Sequence, residues 1–118
     1  MKILIFVYNT NSGFYHSIKN HFHRLISKKD YACKLHRLVY GKIFMKRSWR
    51  NFIGDLSYQK VFFFKKEFKK AHPEYAYLEL PSILVKDDSG IKVLMTAQEI
   101  NSVADTDELI GILGNKLT

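Results

Sequence analysis

The chain has few of the features that define several common protein classes. Cys33 is its one cysteine, so an internal disulfide, a Cys-x-x-Cys dithiol cycle and a two-cysteine zinc site are excluded. No apolar run approaches the roughly 20 residues of a membrane-spanning helix. The apolar run Ile3 to Tyr8 is short and is not followed by the small-residue cleavage site of a signal peptide. We therefore expect a cytoplasmic protein that does not bind membranes.

Acidic residues are scarce in the first part of the chain. Residues 1–72 hold 16 Lys and Arg against three acids, a balance of +13, and residues 73–118 hold three Lys against eight acids, a balance of −5. Such asymmetry is typical of chains with an anionic partner. Charge complementarity within the molecule and a solvated, soluble surface explain it equally well. The charge balance alone leaves these explanations open.

The residues that are present suit one small domain. The composition is 47% hydrophobic and 14% aromatic, which supplies one core and is richer in aromatic residues than disordered chains are. The length of 118 residues matches that of a single domain. We expect residues 1–118 to form one domain.

The first half of the chain predicts alternating strands and helices. Residues 2–8 form a continuous β-branched and aromatic run, which is typical of a strand covered on both faces. Apolar residues at helical spacing predict a helix over 14–26, and a second helix over 45–56. Between these helices, residues 33–40 alternate apolar and polar side chains and predict a second strand.

The second half predicts a hairpin and a terminal helix. Residues 60–64 are a third strand candidate, followed by a short basic helix at 65–71. Two apolar runs flank Asp87-Asp88-Ser89-Gly90 and predict a β-hairpin. Thr96 and Glu99 have the spacing of a capping box, and a last helix follows. The predicted fold class is α/β, with a mixed sheet of four to five strands flanked by helices and a C-terminal hairpin followed by a helix.

This order of elements resembles the thioredoxin-like superfamily. Leu80-Pro81-Ser82 is similar to the segment where that family carries a cis-proline before its first hairpin strand. The resemblance implies that Pro81 is cis and lies beside the end of the first strand. By the same resemblance, residues 57–72 look like an insertion relative to the smallest members of the fold. The family's Cys-x-x-Cys falls in the region of Asn9–Gly13, which has no cysteine, so the resemblance implies a redox-inactive domain.

Two local patterns carry a second resemblance. One is a Tyr-Asn-x-x-Ser-Gly turn, formed by Tyr8, Asn9, Ser12 and Gly13, and the other is the segment 33–41, which begins at a cysteine and ends in Tyr-Gly. They resemble a group of small bacterial proteins of uncharacterised function that lack Cys-x-x-Cys and are sometimes labelled GTPases. The chain contains no Gly-x-x-x-x-Gly-Lys-Ser/Thr loop. We therefore do not adopt GTPase activity as a hypothesis.

The first candidate site is the turn after the first strand. A strand that runs into a helix N-terminus presents N–H groups and a positive dipole end, both of which attract anions. Gly13 lets a ligand approach the backbone, while Asn9, Asn11 and Ser12 add polar contacts. By the resemblance, Pro81 lies beside them. The alternative is that Asn11 or Ser12 only caps the helix.

Cysteine and histidine provide the next candidates. Cys33 is a candidate nucleophile, but on a strand it points away from His36, and a small buried hydrophobe is the alternative. His16 and His23 share a helical face but are separated by roughly 10 Å of rise. We expect surface histidines, no metal and no cofactor.

The basic residues of 42–50 and 60–70 are a candidate nucleic-acid surface, on which Tyr40, Phe44 and Tyr58 would stack with bases. Solubility and pairing with the acidic C-terminal part are the alternative. An exposed-looking group, Tyr75, Tyr77 and Leu78, is a candidate interface or a cover for the sheet edge.

Three functional hypotheses follow. The first is a binding protein without catalysis, which recognises a small anionic ligand or a protein partner at Asn9–Gly13 and Pro81. The second is an enzyme that uses Cys33 in single-thiol chemistry, or the same groove in a transfer reaction. The third is nucleic-acid binding by the basic N-terminal part. The ligand, the biological process and the oligomeric state are left open.

Overall fold

The computed structural model describes residues 2–10, 34–39 and 45–117. In chain order the elements are β1 (Ile3–Val7), α1 (Lys34–Val39), α2 (Arg47–Asp55), β2 (Gln59–Phe63), α3 (Lys65–Ala71), a 3-10 helix (Pro73–Tyr75), β3 (Ser82–Asp87), β4 (Gly90–Met95), α4 (Ala97–Asn101) and α5 (Thr106–Leu117). The helix predicted over 14–26 lies outside the described residues. In the described ranges, no helix has the length and hydropathy needed to cross a bilayer.

The described strands form one mixed sheet in the order β2-β1-β3-β4. β1 pairs with β2 in parallel and with β3 antiparallel, so that Ile5 lies opposite Val61 on one side and Leu84 on the other. β3 and β4 pair antiparallel where the sequence predicts the hairpin. The α/β class and a mixed sheet flanked by helices are confirmed.

A tight turn joins β3 to β4. The backbone N–H and the hydroxyl of Ser89 both donate to Asp87 Oδ1, at 2.8 and 2.6 Å. These bonds lower the pKa of the Asp87 carboxyl. Gly90 ends the turn with φ +119°, a conformation that side chains with a Cβ rarely adopt.

The sheet separates two cores because successive strand side chains point to opposite faces. The large core contains the buried residues Leu4, Phe6, Tyr8, Leu35, Leu38, Val39, Trp49, Ile53, Ile83, Met95, Ile100, Val103, Leu109 and Leu113. The small core contains Ile5, Val7, Phe68 and Leu84. Helices α1, α2, α4 and α5 therefore cover one face, and α3 covers the other.

One prediction of secondary structure is wrong. Residues 34–39 form α1 rather than a strand, because Leu35, Leu38 and Val39 have the spacing of one helical face and all three are buried in the large core. The strand predicted at 60–64 and the short basic helix predicted at 65–71 are confirmed as β2 and α3. Because β2 is the parallel partner of β1, this segment is part of the sheet.

A buried threonine links three helices on the large-core side. The Thr106 hydroxyl donates to the Leu38 carbonyl at the end of α1, and it accepts a hydrogen bond from Lys46 Nζ at 3.1 Å. Lys46 also donates its backbone N–H to the Val39 carbonyl at 2.8 Å. These bonds satisfy a buried polar side chain and hold α1, the start of α2 and α5 together.

The predicted capping box is confirmed at the start of α4. The Glu99 N–H donates to Thr96 Oγ1 at 3.2 Å, and the Thr96 N–H donates to the Glu99 carboxylate at 3.0 Å. This backbone hydrogen bond is the main reason that the pKa of the Glu99 carboxyl is lowered. α5 starts with a similar bond, from the Glu108 N–H to Asp105 Oδ1 at 2.9 Å.

Candidate functional site

The structure describes part of the site that the sequence predicts. Asn9 and Pro81 belong to the described residues, whereas Asn11, Ser12 and Gly13 lie outside them. The same holds for the other chemical candidates, because Cys33, His16 and His23 also lie outside. His36 falls within α1 rather than on a strand. The described part of the predicted site therefore consists of Asn9 and Pro81.

The end of β1 is held on both sides. Its last residue, Val7, pairs with Ser82, the first residue of β3. On the other side, the Thr10 carbonyl accepts a hydrogen bond from the Lys65 N–H at 2.8 Å. The Leu80–Pro81 peptide bond is cis, as the resemblance implies, and Pro81 is buried. Sheet order thus brings Asn9 between the start of α3 and the segment that precedes β3.

A cavity of about 360 Å³ opens at this place, and we call it the lysine groove. Its lining residues come from the end of β1, from α3, from the segment before β3 and from α4: Asn9, Lys65, Lys69, Leu78, Glu79, Leu80, Ala97 and Asn101. Lys65 and Lys69 are four positions apart on α3, so they share one side of the helix. Two ammonium groups and two side-chain amides therefore surround the groove.

Neither lysine of the groove forms an ion pair with another residue of the described part of the chain. The ion pairs within the described part of the chain join His72 to Glu74 at 3.4 Å and Lys116 to Glu99 at 3.2 Å, and neither involves Lys65 or Lys69. α3 itself has four lysines and one glutamate. Glu79 is the acidic residue of the lining. The arrangement favours an anion of small size.

A second cavity, of about 390 Å³, adjoins the first, and we call it the apolar groove. Its lining residues are Tyr77, Leu78, Glu79, Ser82, Val93, Thr96, Ala97 and Gln98. Leu78, Glu79 and Ala97 line both cavities. Pro81 lines neither cavity. Its neighbour Leu80 lines the lysine groove, and its neighbour Ser82 lines the apolar groove.

The helices of the two basic segments, α2 and α3, lie on opposite faces of the sheet. α2, with exposed Arg47 and Arg50, packs on the large core through Trp49 and Ile53. α3 packs on the small core through Phe68. Tyr40 and Phe44 lie outside the described residues. The sheet therefore lies between the basic residues of α2 and those of α3.

Sequence reasoning includes Lys65 and Lys69 in a candidate nucleic-acid surface rather than in a site with Asn9, and it misses Asn101. The spacing of the two lysines on one helical face is a local signal that points to a common target. Their proximity to Asn9 has no local signal, because it depends on β1 lying between β2 and β3. Asn101 follows from the packing of α4 beside the same strand end.

The side chains of the groove also indicate which kind of ion it could hold. Within the residues that the structure describes, no three His, Cys, Asp or Glu side chains come together as a metal site would require. The lysine and amide lining is suited to anions rather than to cations.

A comparison with protein-family models finds none that matches the chain, and comparisons with curated proteins and with solved structures find no match either.

Proposed function

We propose that this protein is a redox-inactive thioredoxin-like domain of the cytoplasm that binds a small anionic ligand in the lysine groove. The observation that carries the proposal is the pair Lys65 and Lys69, which line one cavity together with Asn9 and Asn101. The thioredoxin-like part is supported by a parallel β1–β2 pair followed by an antiparallel β3–β4 pair and a helix.

The chemistry of the groove indicates the class of ligand. Two ammonium groups on one helical face attract a group with more than one negative charge, and amide N–H donors add directional hydrogen bonds. The volume of about 360 Å³ lies near the lower end of the range for small-molecule sites. A phosphate group or a small dicarboxylate fits this description, and inorganic phosphate is the simplest probe.

The test is calorimetric titration of the protein with inorganic phosphate. In the double variant Lys65→Gln/Lys69→Gln we expect the affinity to fall on the order of tenfold for each lysine removed. The matched control is Lys66→Gln/Lys70→Gln, because it removes the same charge from the same helix at positions that do not line the groove. The control should bind phosphate nearly as the unaltered protein does.

Two outcomes would overturn the proposal. If both double variants lose phosphate affinity equally, the effect is one of net charge and the groove is not the site. If the unaltered protein binds neither phosphate nor a dicarboxylate, the groove is not an anion site, and a protein partner becomes the better hypothesis.

The other sequence hypotheses are tested separately. Single-thiol catalysis requires Cys33 to react with an alkylating reagent in the native protein. If the Cys33 thiol does not react, the hypothesis of single-thiol catalysis is wrong. Nucleic-acid binding requires an affinity that falls steeply with salt. The separation of α2 and α3 by the sheet leads us to expect weak binding of short RNA and DNA.

A further inference from the structure

We infer that the anion bound by this protein carries an apolar, ring-sized group, which occupies the apolar groove while the charged group occupies the lysine groove. The inference rests on the proposed function and specifies the ligand further. It identifies one small molecule with two chemically different ends as the occupant of both cavities.

The lysine groove and the apolar groove are contiguous. Leu78, Glu79 and Ala97 line both of them. Ala97 starts α4 and is 4% exposed, and its side chain is a single methyl group, which is too short to separate the two cavities. A ligand anchored at Lys65 and Lys69 therefore has the apolar groove next to it.

Large apolar side chains are exposed to solvent at the apolar groove. Three large apolar side chains stand out as exposed in the described part of the chain: Phe62 at 39%, Tyr77 at 77% and Val93 at 39%. Two of these, Tyr77 and Val93, line the apolar groove. Exposed apolar side chains gathered at one cavity are typical of a binding site.

The linings of the two cavities differ in charge. Both lysines of the pair belong to the lysine groove, and the apolar groove has none. Glu79 is common to both and repels a second anionic group from the boundary between them. One negatively charged end and one uncharged apolar end match this distribution, whereas a ligand with anionic groups at both ends does not.

The test compares inorganic phosphate with phenyl phosphate at about pH 8, where both are chiefly dianions. Calorimetry should show phenyl phosphate binding on the order of tenfold more tightly, because the ring is removed from water. Val93→Thr keeps the shape of the side chain and makes it polar. We expect this variant to lose most of the phenyl advantage while its affinity for inorganic phosphate stays unchanged.

Each outcome has a distinct meaning. If phenyl phosphate binds no more tightly than phosphate, the inference is wrong and the anion site stands. If the phenyl advantage survives in both Val93→Thr and Tyr77→Ser, the ring lies elsewhere and the inference is also wrong. If neither probe binds, the proposed function fails together with the inference.

Discussion

The two faces of the sheet differ in how they are built. On one face, α1, α2, α4 and α5 enclose the large core, and a buried threonine joins three of these helices. On the other face, α3 and the 3-10 helix cover the small core, to which the described part of the chain contributes four buried residues. β1 belongs to both faces, because Phe6 points into the large core and Val7 into the small one.

This difference separates stability from binding. The large core contains most of the buried apolar side chains, so it contributes most of the hydrophobic stabilisation. The small-core face places α3, with Lys65 and Lys69, against the end of β1. The variants below test this division, because a change in the large core at α2 or α5, which do not line the groove, should affect stability alone, whereas a change under α3 should affect binding as well.

The largest effect is expected from Trp49, which is fully buried against Phe6 and Phe52, with ring centroids at 5.6 and 5.8 Å. Trp49→Ala should lower the free energy of unfolding by about 3–5 kcal/mol, measured by urea denaturation. Trp49→Phe should cost much less, because the buried indole N–H has no hydrogen-bond acceptor among the residues that the structure describes. Phosphate affinity should be unchanged in Trp49→Phe. A loss of phosphate affinity in Trp49→Phe would contradict the separation of stability in the large core from binding at α3.

Phe68 is the matching residue of the small core, where it packs against Phe63 and His72 at centroid distances of 5.9 and 5.5 Å. Phe68→Ala should cost about 3 kcal/mol. Unlike a large-core variant, it should also weaken phosphate binding, because α3 loses the anchor that sets the position of Lys65 and Lys69. Phe68→Leu is the control and should retain most of both properties. Full phosphate affinity in folded Phe68→Ala would show that α3 is positioned by other contacts.

Thr106→Val tests the polar link on the large-core side. The variant keeps the shape of the side chain but leaves the Leu38 carbonyl without its donor and Lys46 without its acceptor. We expect a loss of about 1–3 kcal/mol in unfolding free energy, with unchanged phosphate affinity. Thr106→Ser retains the hydroxyl and should cost less. Equal losses in the two variants would assign the effect to the methyl group instead.

The smallest effect concerns pH and Glu99. Its carboxyl has a pKa below the ordinary 4.5, chiefly because the carboxylate accepts the Thr96 N–H. A lowered pKa means that the stabilisation is present above the ordinary pKa and is lost as the pH falls through the folded-state value. Glu99→Gln should therefore show a shallower loss of thermal stability below about pH 4.5. If the unaltered protein and Glu99→Gln lose thermal stability identically as the pH falls, Glu99 does not contribute to the pH dependence of stability.

Local patterns predict much of this fold. β1, α2 and the pairing of β3 with β4 follow from periodicity and turn residues, and α4 follows from the spacing of Thr96 and Glu99. These signals are local because each is set by neighbours in the chain. Residues 34–39 were harder to interpret, because six residues with Leu35, Leu38 and Val39 are compatible with both a strand and a helix.

The site is predictable only in part, for a different reason. Asn9 could be proposed from its place at the end of a strand, and Pro81 from the resemblance. Lys65 and Asn101 meet Asn9 through the sheet order and the packing of α4. Such contacts between distant segments have no signature in a single sequence, so the composition of the groove emerges only from the structure.

The most direct measurement is a two-dimensional ¹H–¹⁵N NMR titration of the unaltered protein with inorganic phosphate. We predict saturable shifts at the amides around the lysine groove, which are those of Asn9, Lys65, Lys69, Ala97 and Asn101. Arg47 and Arg50 of α2 serve as the internal reference for a basic surface outside the groove. Shifts confined to α2, or no saturable shifts at the groove, would contradict the assignment of the anion site.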